Sequence, residues 1–344
     1  MKQLGDFDFK NKRVLLRCDF DVPLSNGVIL DDFRIKKALP TIEYLVEKGA
    51  KLVLIGHLDR PGGKVIENLR LTLIQERISE RLGLPVIKAE DCLGQEVERM
   101  VNGLKSGEVL LLENLRFYKE EEGNDDNFAG NLAKLGEIYI NNAFANSHRA
   151  HASIVGLPKH LPSCAGLLFE KEIRALSKIK DNPERPLLAI IGGAKVETKT
   201  GLIDKISEKA DFVLIGGLIK EEIKKNNIKL KYPEKVVEPV NDVGKKDIGP
   251  ETIALFKEKI RSAKTVFWNG PLGQTEKDEF CFGTSEIAKA IIDSGAFSVA
   301  GGGETIEFLN KISLIDKFSH VSTGGGAMIT FLSGESLPGI EALA

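Results

Sequence analysis

Short apolar runs alternate along the chain with longer amphipathic segments. The runs rich in Val, Ile and Leu predict strands at residues 13–17, 51–55, 109–113, 137–140, 187–191, 211–215, 264–268 and 296–300. Helical spacing of apolar residues predicts helices at 33–48, 71–82, 127–135, 168–180, 250–261 and 284–293. Apolar strands separated by such helices are typical of parallel sheets covered on both faces. The pattern therefore predicts an α/β protein with two open, doubly wound parallel sheets.

Chain length adds a domain division. With 344 residues the chain exceeds the usual size of one hydrophobic core, so two domains of roughly 150 residues are expected. Glycine and prolines bracket a helical segment within 156–186, which predicts a connecting helix there. The predicted division is a first domain at 1–166, the connecting helix at 167–182, and a second domain at 183–326.

Charge and cysteine usage exclude several classes of protein. Lys and Arg number 48 against 50 Asp and Glu, and the net charge of −2 argues against general attraction to nucleic acid or acidic membranes. The four cysteines form no C-x-x-C pair, so neither a zinc ribbon nor a disulfide framework is expected. The start has no apolar segment of a signal peptide, and no run approaches the ~18 apolar residues of a membrane span. A cytoplasmic protein is expected.

Charged side chains follow the predicted strands of the first half. These strand ends are Arg17-Cys18-Asp19, His57-Leu58-Asp59-Arg60, Glu113-Asn114-Leu115-Arg116 and, further on, His148-Arg149-Ala150-His151. Open α/β sheets bind ligands at the carboxyl ends of their strands. This edge is therefore predicted to bind a small anion.

Glycine follows the strands of the second half instead. These turns are Gly192-Gly193, Gly216-Gly217, Asn269-Gly270-Pro271, Gly301-Gly302-Gly303 and Gly324-Gly325-Gly326. They expose backbone N–H groups where helices start, which suits phosphate. Lys195 and Lys199 are four residues apart and so share a helix face toward a phosphate chain. Neither a Walker A pattern nor a G-x-G-x-x-G fingerprint is present, which argues against P-loop and standard NAD-binding proteins.

Each of these features also has a structural interpretation. Glycines make tight turns without binding anything, and an isolated lysine pair is usually surface decoration. His148 and His151 are a weak metal-ligand pair because no matching Cys or His pair stands nearby. The run Glu120-Glu121-Glu122 is expected to be solvated. Asp19 and Asp21 face one way on an extended segment, which suits acid–base chemistry, hydrogen bonding to substrate hydroxyls, or a capped strand end.

Taken in order, these motifs resemble the phosphoglycerate kinase family over nearly the whole chain. The segments that carry the resemblance are RCDFDVP (17–23), DFRIKKALPTI (32–42), HLDRP (57–61), LLENLRF (111–117), NAFANSHRAHASIVG (142–156), GGAKVETK (192–199), WNGPLG (268–273), GGGET (301–305) and STGGGA (322–327). Nine ordered segments are far more specific than any single glycine turn.

The resemblance implies two Rossmann-like domains joined by a hinge helix, with the tail 327–344 crossing back onto the first domain. It implies reversible phosphoryl transfer, with magnesium, between 1,3-bisphosphoglycerate and ADP to give 3-phosphoglycerate and ATP, in glycolysis or gluconeogenesis. The substrate-binding residues that it implies are Asp19, Asp21, Arg34, His57, Arg60, Arg116 and Arg149. For the nucleotide it implies Lys195, Lys199, Asn269, Glu276, Gly301, Gly302, Gly303, Glu304 and Thr305, with Glu304 on the metal, and for catalysis Arg34, Lys195, Gly302 and Gly325.

Three departures from the family pattern bear on these roles. Asp21 stands where the family usually has Asn, and Glu304 stands where it usually has the Asp that holds magnesium. Between Gly217 and Asp247 the chain lacks a segment that the family has, including helices beside the adenine pocket. Base preference is therefore the least determined property.

Three functions compete on these grounds, the weakest being a related kinase that acts on another acyl phosphate. The leading interpretation is an active phosphoglycerate kinase, a phosphotransferase with a carboxyl group as acceptor, working as a monomer on phosphoglycerate and nucleotide. The alternative is a phosphometabolite-binding protein that has lost nucleotide turnover, because a missing adenine wall weakens only the nucleotide site. The presence of both Lys195 and Arg34 favours catalysis.

Overall fold

The predicted apolar runs all form strands in the computed structural model, which describes residues 1–193 and 199–344. The chain divides into unit 1, made of Met1–Lys171 and Ser336–Ala344, and unit 2, made of Glu172–Glu335. Each unit is built around its own six-stranded parallel sheet. The predicted fold class, two doubly wound α/β domains, is confirmed.

Unit 1 contains eight strands and most of the helices of the first half. Its strands are β1 (Arg13–Arg17), β2 (Leu24–Ser25), β3 (Val28–Ile29), β4 (Lys51–Ile55), β5 (Val86–Lys88), β6 (Val109–Leu111), β7 (Ile138–Asn141) and β8 (Ser163–Ala165). Its helices are α1 (Phe33–Glu47), α2 (Thr72–Leu82), α3 (Gln95–Gly103), α4 (Lys119–Glu122), α5 (Asp126–Ala133), α6 (Leu157–His160) and the start of α7 (Leu167–Lys180). Shorter turns of helix lie at Leu4–Asp6, Glu67–Leu69, Leu115–Phe117, Phe144–Asn146 and Ala152–Gly156.

The strand order of the first sheet locates its binding edge. The order is β5-β6-β4-β1-β7-β8, so the chain moves outward from β1 on one side and then returns to continue on the other. In open α/β sheets the crevice at such a reversal, beyond the carboxyl ends of the strands, is where ligands bind. That crevice lies between β1, which ends at Arg17, and β7, which ends at Asn141.

Unit 2 repeats this plan with a different edge. Its strands are β9 (Leu187–Ile191), β10 (Phe212–Ile215), β11 (Val236–Val237), β12 (Asp242–Val243), β13 (Asp247–Ile248), β14 (Thr265–Asn269), β15 (Phe297–Gly301) and β16 (His320–Ser322). Its helices are α8 (Lys199–Ser207), α9 (Gly217–Lys225), α10 (Pro250–Ser262), α11 (Phe282–Asp293), α12 (Gly303–Lys311) and α13 (Gly325–Leu332), with short turns at Pro233–Lys235, Asp278–Phe280 and Ile315–Lys317. The sheet order β11-β10-β9-β14-β15-β16 is that of a Rossmann fold, with its reversal between β9 and β14.

Several elements were not predicted from the pattern. Helices α12 and α13 begin in glycine runs, which have low helix propensity, yet each follows a strand of the sheet and covers it. The three-residue strands β5, β8 and β16 are too short to give a periodic signal. Tertiary packing, rather than local propensity, decides these elements.

The division between the units falls inside α7, between Lys171 and Glu172. The chain end returns to unit 1, where α14 (Pro338–Glu341) contacts the segment after β7 and Gly339 N–H donates to the Ser147 carbonyl at 2.9 Å. Residues 327–335 belong to unit 2. Across the part of the chain that the structure describes, none of the helices combines the length and apolarity required to span a bilayer.

Candidate active site

The binding edge of unit 1 gathers side chains from several strand ends. Arg17 ends β1, His57 follows β4, Arg116 lies in the helical turn after β6, and Arg149 follows β7. The first three side chains are almost fully buried. Strand polarity explains the convergence, since parallel strands end at the same edge of a sheet. The strand-end residues from which an anion-binding edge was predicted thus lie at one edge of the sheet, although they come from separate segments.

Four arginine side chains surround His57. Burial, and then the charges of Arg17, Arg116, Arg149 and Arg34, hold the pKa of His57 well below its ordinary value of 6.5. Each cation opposes a further positive charge on the ring. His57 is therefore a neutral imidazole at physiological pH.

Arg116 carries buried positive charge that the protein leaves partly uncompensated. Its Nη1 donates to the Asp59 carbonyl at 2.8 Å. Nε and Nη2 are buried and have no hydrogen-bond partner among the described residues, although Glu122 Oε1 lies 3.5 Å from Nε. Burial, and then Arg149 and Arg17, lower the pKa of Arg116 to about 10. A buried guanidinium surrounded by like charges favours an anion beside it.

Arg34, in the first turn of α1, is held by two carboxylates. Its Nη1 donates to Asp19 Oδ2 at 2.8 Å, and Asp21 Oδ2 lies 3.7 Å away. Asp21 Oδ1 also accepts the Asp59 N–H at 2.8 Å. The charge of Asp21, which departs from the family pattern, is thus paired rather than left facing an anion.

The remaining sequence candidates of unit 1 are Arg149, Arg60 and the histidine pair His148 and His151. Arg149 is half-buried, and its Nε donates to His148 Nε2 at 3.2 Å. Arg60 is exposed. Within 1–193 and 199–344, which include His148 and His151, no group of three His, Cys, Asp or Glu that could hold a metal ion was found.

One expectation for this unit was wrong. Glu120 to Glu122 was expected to be a solvated run, but α4 directs Glu121 inward, where its side chain is fully buried. Glu121 Oε1 accepts from Ser153 Oγ at 2.5 Å, and Oε2 accepts from Ser153 N–H at 2.9 Å. Local sequence does not distinguish the middle of three glutamates, so only the position of α4 reveals it.

In unit 2, polar side chains tie the strand ends together. Asn269, which ends β14, donates from Nδ2 to the Gly301 carbonyl at 3.2 Å and accepts the Lys199 ammonium at Oδ1. Thr305 Oγ1 accepts the Gly270 N–H at 2.9 Å. Asn269 and Thr305 are buried, so their hydrogen bonds stabilise the edge from within the unit.

Two helix starts meet at this edge. Gly302 precedes α12 with φ of 99°, a conformation that favours glycine, and a Cβ added at Gly325, the first residue of α13, would lie 3.7 Å from Gly302 Cα. At Gly270, φ is 91° and a Cβ would overlap the Gly192 carbonyl. Backbone N–H groups at adjacent helix starts attract phosphate oxygens.

A pocket of about 220 Å³ opens beside the start of α12. Glu276 and Glu304 line it together with Gly193, and a Cβ at Gly193 would lie 3.3 Å from Glu304 Oε2. The β12–β13 hairpin and the residues before it, from 239 to 248, form one wall, and Leu218 and Leu272 are part of the lining. Lys195 lies outside the described residues.

Comparison with known proteins agrees with this geometry. A family model described as phosphoglycerate kinase matches residues 4–239 and 224–335. Phosphoglycerate kinase of Dictyoglomus turgidum is 45% identical over 386 aligned positions, covering 99% of this chain and 97% of that protein. A crystal structure of phosphoglycerate kinase from Pyrococcus horikoshii superposes with a TM-score of 0.89 at 35% identity, covering 100% of this chain and 98% of that one.

The fold and its two edges define a phosphotransferase that works on small phosphorylated metabolites. This chain belongs to the phosphoglycerate kinase family. It is accordingly an enzyme with a carboxyl group as phosphoryl acceptor and ATP or ADP as co-substrate. The two stretches matched by the family model overlap at 224–239, inside the segment 218–246 where the chain is shortened.

Proposed function

We propose that unit 1 binds 1,3-bisphosphoglycerate or 3-phosphoglycerate, that unit 2 binds the nucleotide, and that the phosphoryl group passes reversibly between the substrate carboxyl oxygen and the β-phosphate of ADP. Buried Arg116 carries the assignment for unit 1. Nε and Nη2 have no hydrogen-bond partner among the described residues, and the one carboxylate near Nε is Glu122 at 3.5 Å. An anion would supply these partners and offset the charges of Arg149 and Arg17. A phosphorylated acid supplies such an anion.

The proposed substrate-binding residues fall into hydrogen-bond donors and carboxylate acceptors. His57 and the guanidinium groups of Arg34, Arg60, Arg116 and Arg149 donate to the phosphate and carboxyl oxygens. The carboxylates of Asp19 and Asp21 orient Arg34 and accept from substrate hydroxyls. Arg34 also stabilises the charge that spreads over the phosphoryl oxygens during transfer, since this chemistry depends mainly on alignment and charge stabilisation.

The nucleotide residues follow the glycine-rich edge of unit 2. Lys199, held against Asn269, faces the phosphate chain, and the backbone N–H groups from Gly301 to Thr305 bind its oxygens. Gly302 and Gly325, at the two helix starts, donate to the phosphoryl group in transfer. Lys195 is assigned the same phosphate chain from its sequence position alone. Glu276 binds the nucleoside side of the pocket.

The residues of this edge suit magnesium as the metal. Mg²⁺ on nucleotides is commonly held by one or two protein carboxylates, with water and phosphate oxygens as its other ligands. Glu304 is exposed in the first turn of α12, beside Gly193, and meets that requirement. When bound, the ion neutralises charge on the β- and γ-phosphates.

The working form is proposed to be a cytoplasmic monomer without nucleic-acid or membrane partners. The net charge of −2 supports this, because it provides no general attraction to polyanions. Light scattering of the purified protein should give a mass near 37.7 kDa. A mass of about twice that value would contradict the monomer.

The test of the proposed function combines turnover with binding. Purified protein with 3-phosphoglycerate, Mg²⁺ and ATP should turn over in a coupled spectrophotometric assay, and calorimetry should detect 3-phosphoglycerate binding without nucleotide. Arg116→Gln should weaken that binding by about 100-fold, since a hydrogen bond to a charged group contributes ~1.5–3 kcal/mol and Arg116 has two nitrogens to offer. Arg99→Gln, on the exposed face of α3, is the control. If Arg116→Gln binds 3-phosphoglycerate with unchanged affinity, Arg116 does not bind the substrate and the proposed site is wrong.

A further inference from the structure

Beneath the binding edge of unit 1 lies a buried chain of hydrogen bonds with no assigned role. Glu121, Ser153 and Arg17 are all fully buried, and they come from α4, the helical turn Ala152–Gly156 and β1. Ser153 Oγ donates to Glu121 Oε1 at 2.5 Å and accepts from Arg17 Nε at 2.8 Å. Both hydrogen bonds therefore donate toward Glu121, from Arg17 Nε to Ser153 Oγ and from Ser153 Oγ to the carboxylate.

Arg17 uses each of its side-chain nitrogens within the protein. Beyond the bond to Ser153, Nη1 donates to the Cys18 carbonyl, and Nη2 lies 3.0 Å from Nδ1 of His57. An arginine with all three nitrogens engaged and no exposed surface is not placed to bind substrate itself. Its direct contact with a candidate substrate-binding side chain is the one to His57.

The contact between Arg17 and His57 fixes the state of the imidazole. A guanidinium only donates hydrogen bonds, so Nδ1 must accept, and a neutral ring then carries its proton on Nε2. A doubly protonated ring would set an N–H on Nδ1 against the Nη2 donor. The low pKa of His57, caused first by burial and then by Arg17, agrees with this arrangement.

We propose that Glu121, Ser153 and Arg17 form a positioning network that holds His57 as the Nε2–H tautomer, so that the ring offers a neutral, fixed donor to the anionic substrate. This rests on the proposed function, in which His57 binds that substrate. A donor that needs no proton uptake binds the same way across neutral pH, and a fixed ring loses little entropy on binding. The three residues act through His57 and are not themselves catalytic.

The test reads the tautomer directly in the ligand-free protein. In protein labelled with ¹⁵N in its histidine rings, long-range ¹H–¹⁵N correlations distinguish a protonated ring nitrogen from an unprotonated one, and His57→Gln assigns the signals. Wild-type protein at pH 7 should show Nε2 protonated and Nδ1 unprotonated. A ring protonated at Nδ1, or at both nitrogens, would overturn the proposal without any variant.

Two variants test whether the network is what holds the ring. In Ser153→Ala, and in Arg17→Lys, whose ammonium cannot bridge three partners in one plane, the two nitrogen signals should move toward each other as tautomers mix. KM for 3-phosphoglycerate should rise about tenfold, while KM for ATP and kcat change by less than about twofold. Ser147→Ala is the matched control, because Ser147 is also fully buried and its hydroxyl has no hydrogen-bond partner within the described part of the chain.

The outcomes separate this network from the proposed site. If both variants keep the wild-type ring pattern and KM, the network does not position His57 and the inference fails. If His57→Gln leaves KM for 3-phosphoglycerate unchanged, His57 is not a substrate ligand, and the proposed function fails at that residue even when the ring pattern is as expected.

Discussion

Two arginines at the sheet edge of unit 1 differ in how far neighbouring carboxylates neutralise their charge. Arg34 is paired with Asp19 and Asp21, so part of its charge is already neutralised. Arg116 has one carboxylate, Glu122, 3.5 Å from Nε, and its Nη2 has no hydrogen-bond partner within residues 1–193 and 199–344. The two arginines, similar in sequence context as strand-end or helix-start cations, thus differ in how much charge they leave for a ligand.

Asp21→Asn should tighten 3-phosphoglycerate binding. The Asn carbonyl oxygen can still accept the Asp59 N–H, but the charge that now competes with substrate for Arg34 is removed. Because Asp21 is more than one-third exposed, the gain should be only about 0.5–1 kcal/mol, or two- to fivefold in Kd. Calorimetry at low salt should detect this gain in affinity, and added salt should reduce the gain. Weaker binding would mean that Asp21 itself holds the substrate.

Unit 1 should lose stability below pH ~6.5. His57 has a pKa well below 6.5, and burial, and then Arg116, lower the pKa of His151 to about 3. Between pH 6.5 and 5.5 the unfolded chain takes up protons at both residues while the native protein does not, so stability is full above ~6.5 and falls with pH. The loss between pH 6.5 and 5.5 should be about 1 kcal/mol per histidine, and its slope should approach about 1.4 kcal/mol per pH unit at lower pH.

Hydrogen exchange of β1 and β4 amides, corrected for intrinsic rates, measures this loss within unit 1. His151→Gln should remove about half of the difference between pH 6.5 and 5.5. The prediction fails if the opening free energy of these strands is the same at both values.

Among secondary-structure elements, the sequence predicted best those whose own residues determine them. The strands β1, β4 and β9 occupy the predicted residues, because five-residue apolar runs are readable locally. By contrast, the hairpin β12–β13 has two-residue strands and depends on Asn241 and Thr252, which bond to each other at 2.9 Å. The hairpin lines the pocket because of its position in the folded unit, and its own sequence pattern does not predict this.

The hairpin wall should bind the base weakly and without strong preference. Val240 is 59% exposed and lines the pocket, whereas Val243, 44% exposed in β12, does not. A base that covers about 60 Å² of apolar surface there gains ~1.5 kcal/mol, roughly tenfold in Kd. Val240→Ser should therefore raise KM for ATP and GTP alike by several-fold, and Val243→Ser should leave both unchanged.

Wild-type kcat/KM for ATP and GTP should agree within about tenfold, because an apolar wall does not read base edges. A preference for ATP above about a hundredfold would require polar groups of the lining to recognise adenine. In that case Asn241 and Gln274, which line the pocket, are the side chains to substitute next.

The first turn of α12 should set the magnesium requirement. Glu304→Gln keeps the length of the side chain but removes its charge, so the Mg²⁺ concentration for half-maximal activity should rise about tenfold or more. Glu304→Asp, which matches the usual family residue, should restore it, and Glu307→Gln on the exposed part of the same helix should have no effect. An unchanged Mg²⁺ dependence in Glu304→Gln would assign the metal to other ligands.

The two units differ in the residues at their sheet edges in a way that composition alone does not reveal. With 48 basic and 50 acidic residues the chain is nearly neutral, yet unit 1 gathers arginines at one sheet edge and unit 2 gathers glycines at the other sheet's edge. Strand-end residues predicted this split, because the reversal of strand order puts them at the binding edge. The buried hydrogen-bond network of Glu121, Ser153 and Arg17 could not be predicted from the sequence, since burial of a charged side chain depends on the assembled fold.

Each ligand alone should therefore protect a different unit in hydrogen exchange. Saturating 3-phosphoglycerate should slow exchange in unit 1 at the loops after β1, β4 and β6, and Mg²⁺ with ATP should slow it in unit 2 at the starts of α12 and α13 and in the β12–β13 hairpin. The reason is linkage: a ligand stabilises the state that binds it by RT ln(1 + [L]/Kd), about 2.7 kcal/mol at 100 times Kd, and this appears first in the amides around its site. Arg116→Gln should abolish the first pattern and leave the second intact, and Glu304→Gln should weaken only the second. Protection by 3-phosphoglycerate alone that centres on α12 and α13 would reverse the assignment of substrate and nucleotide to the two units.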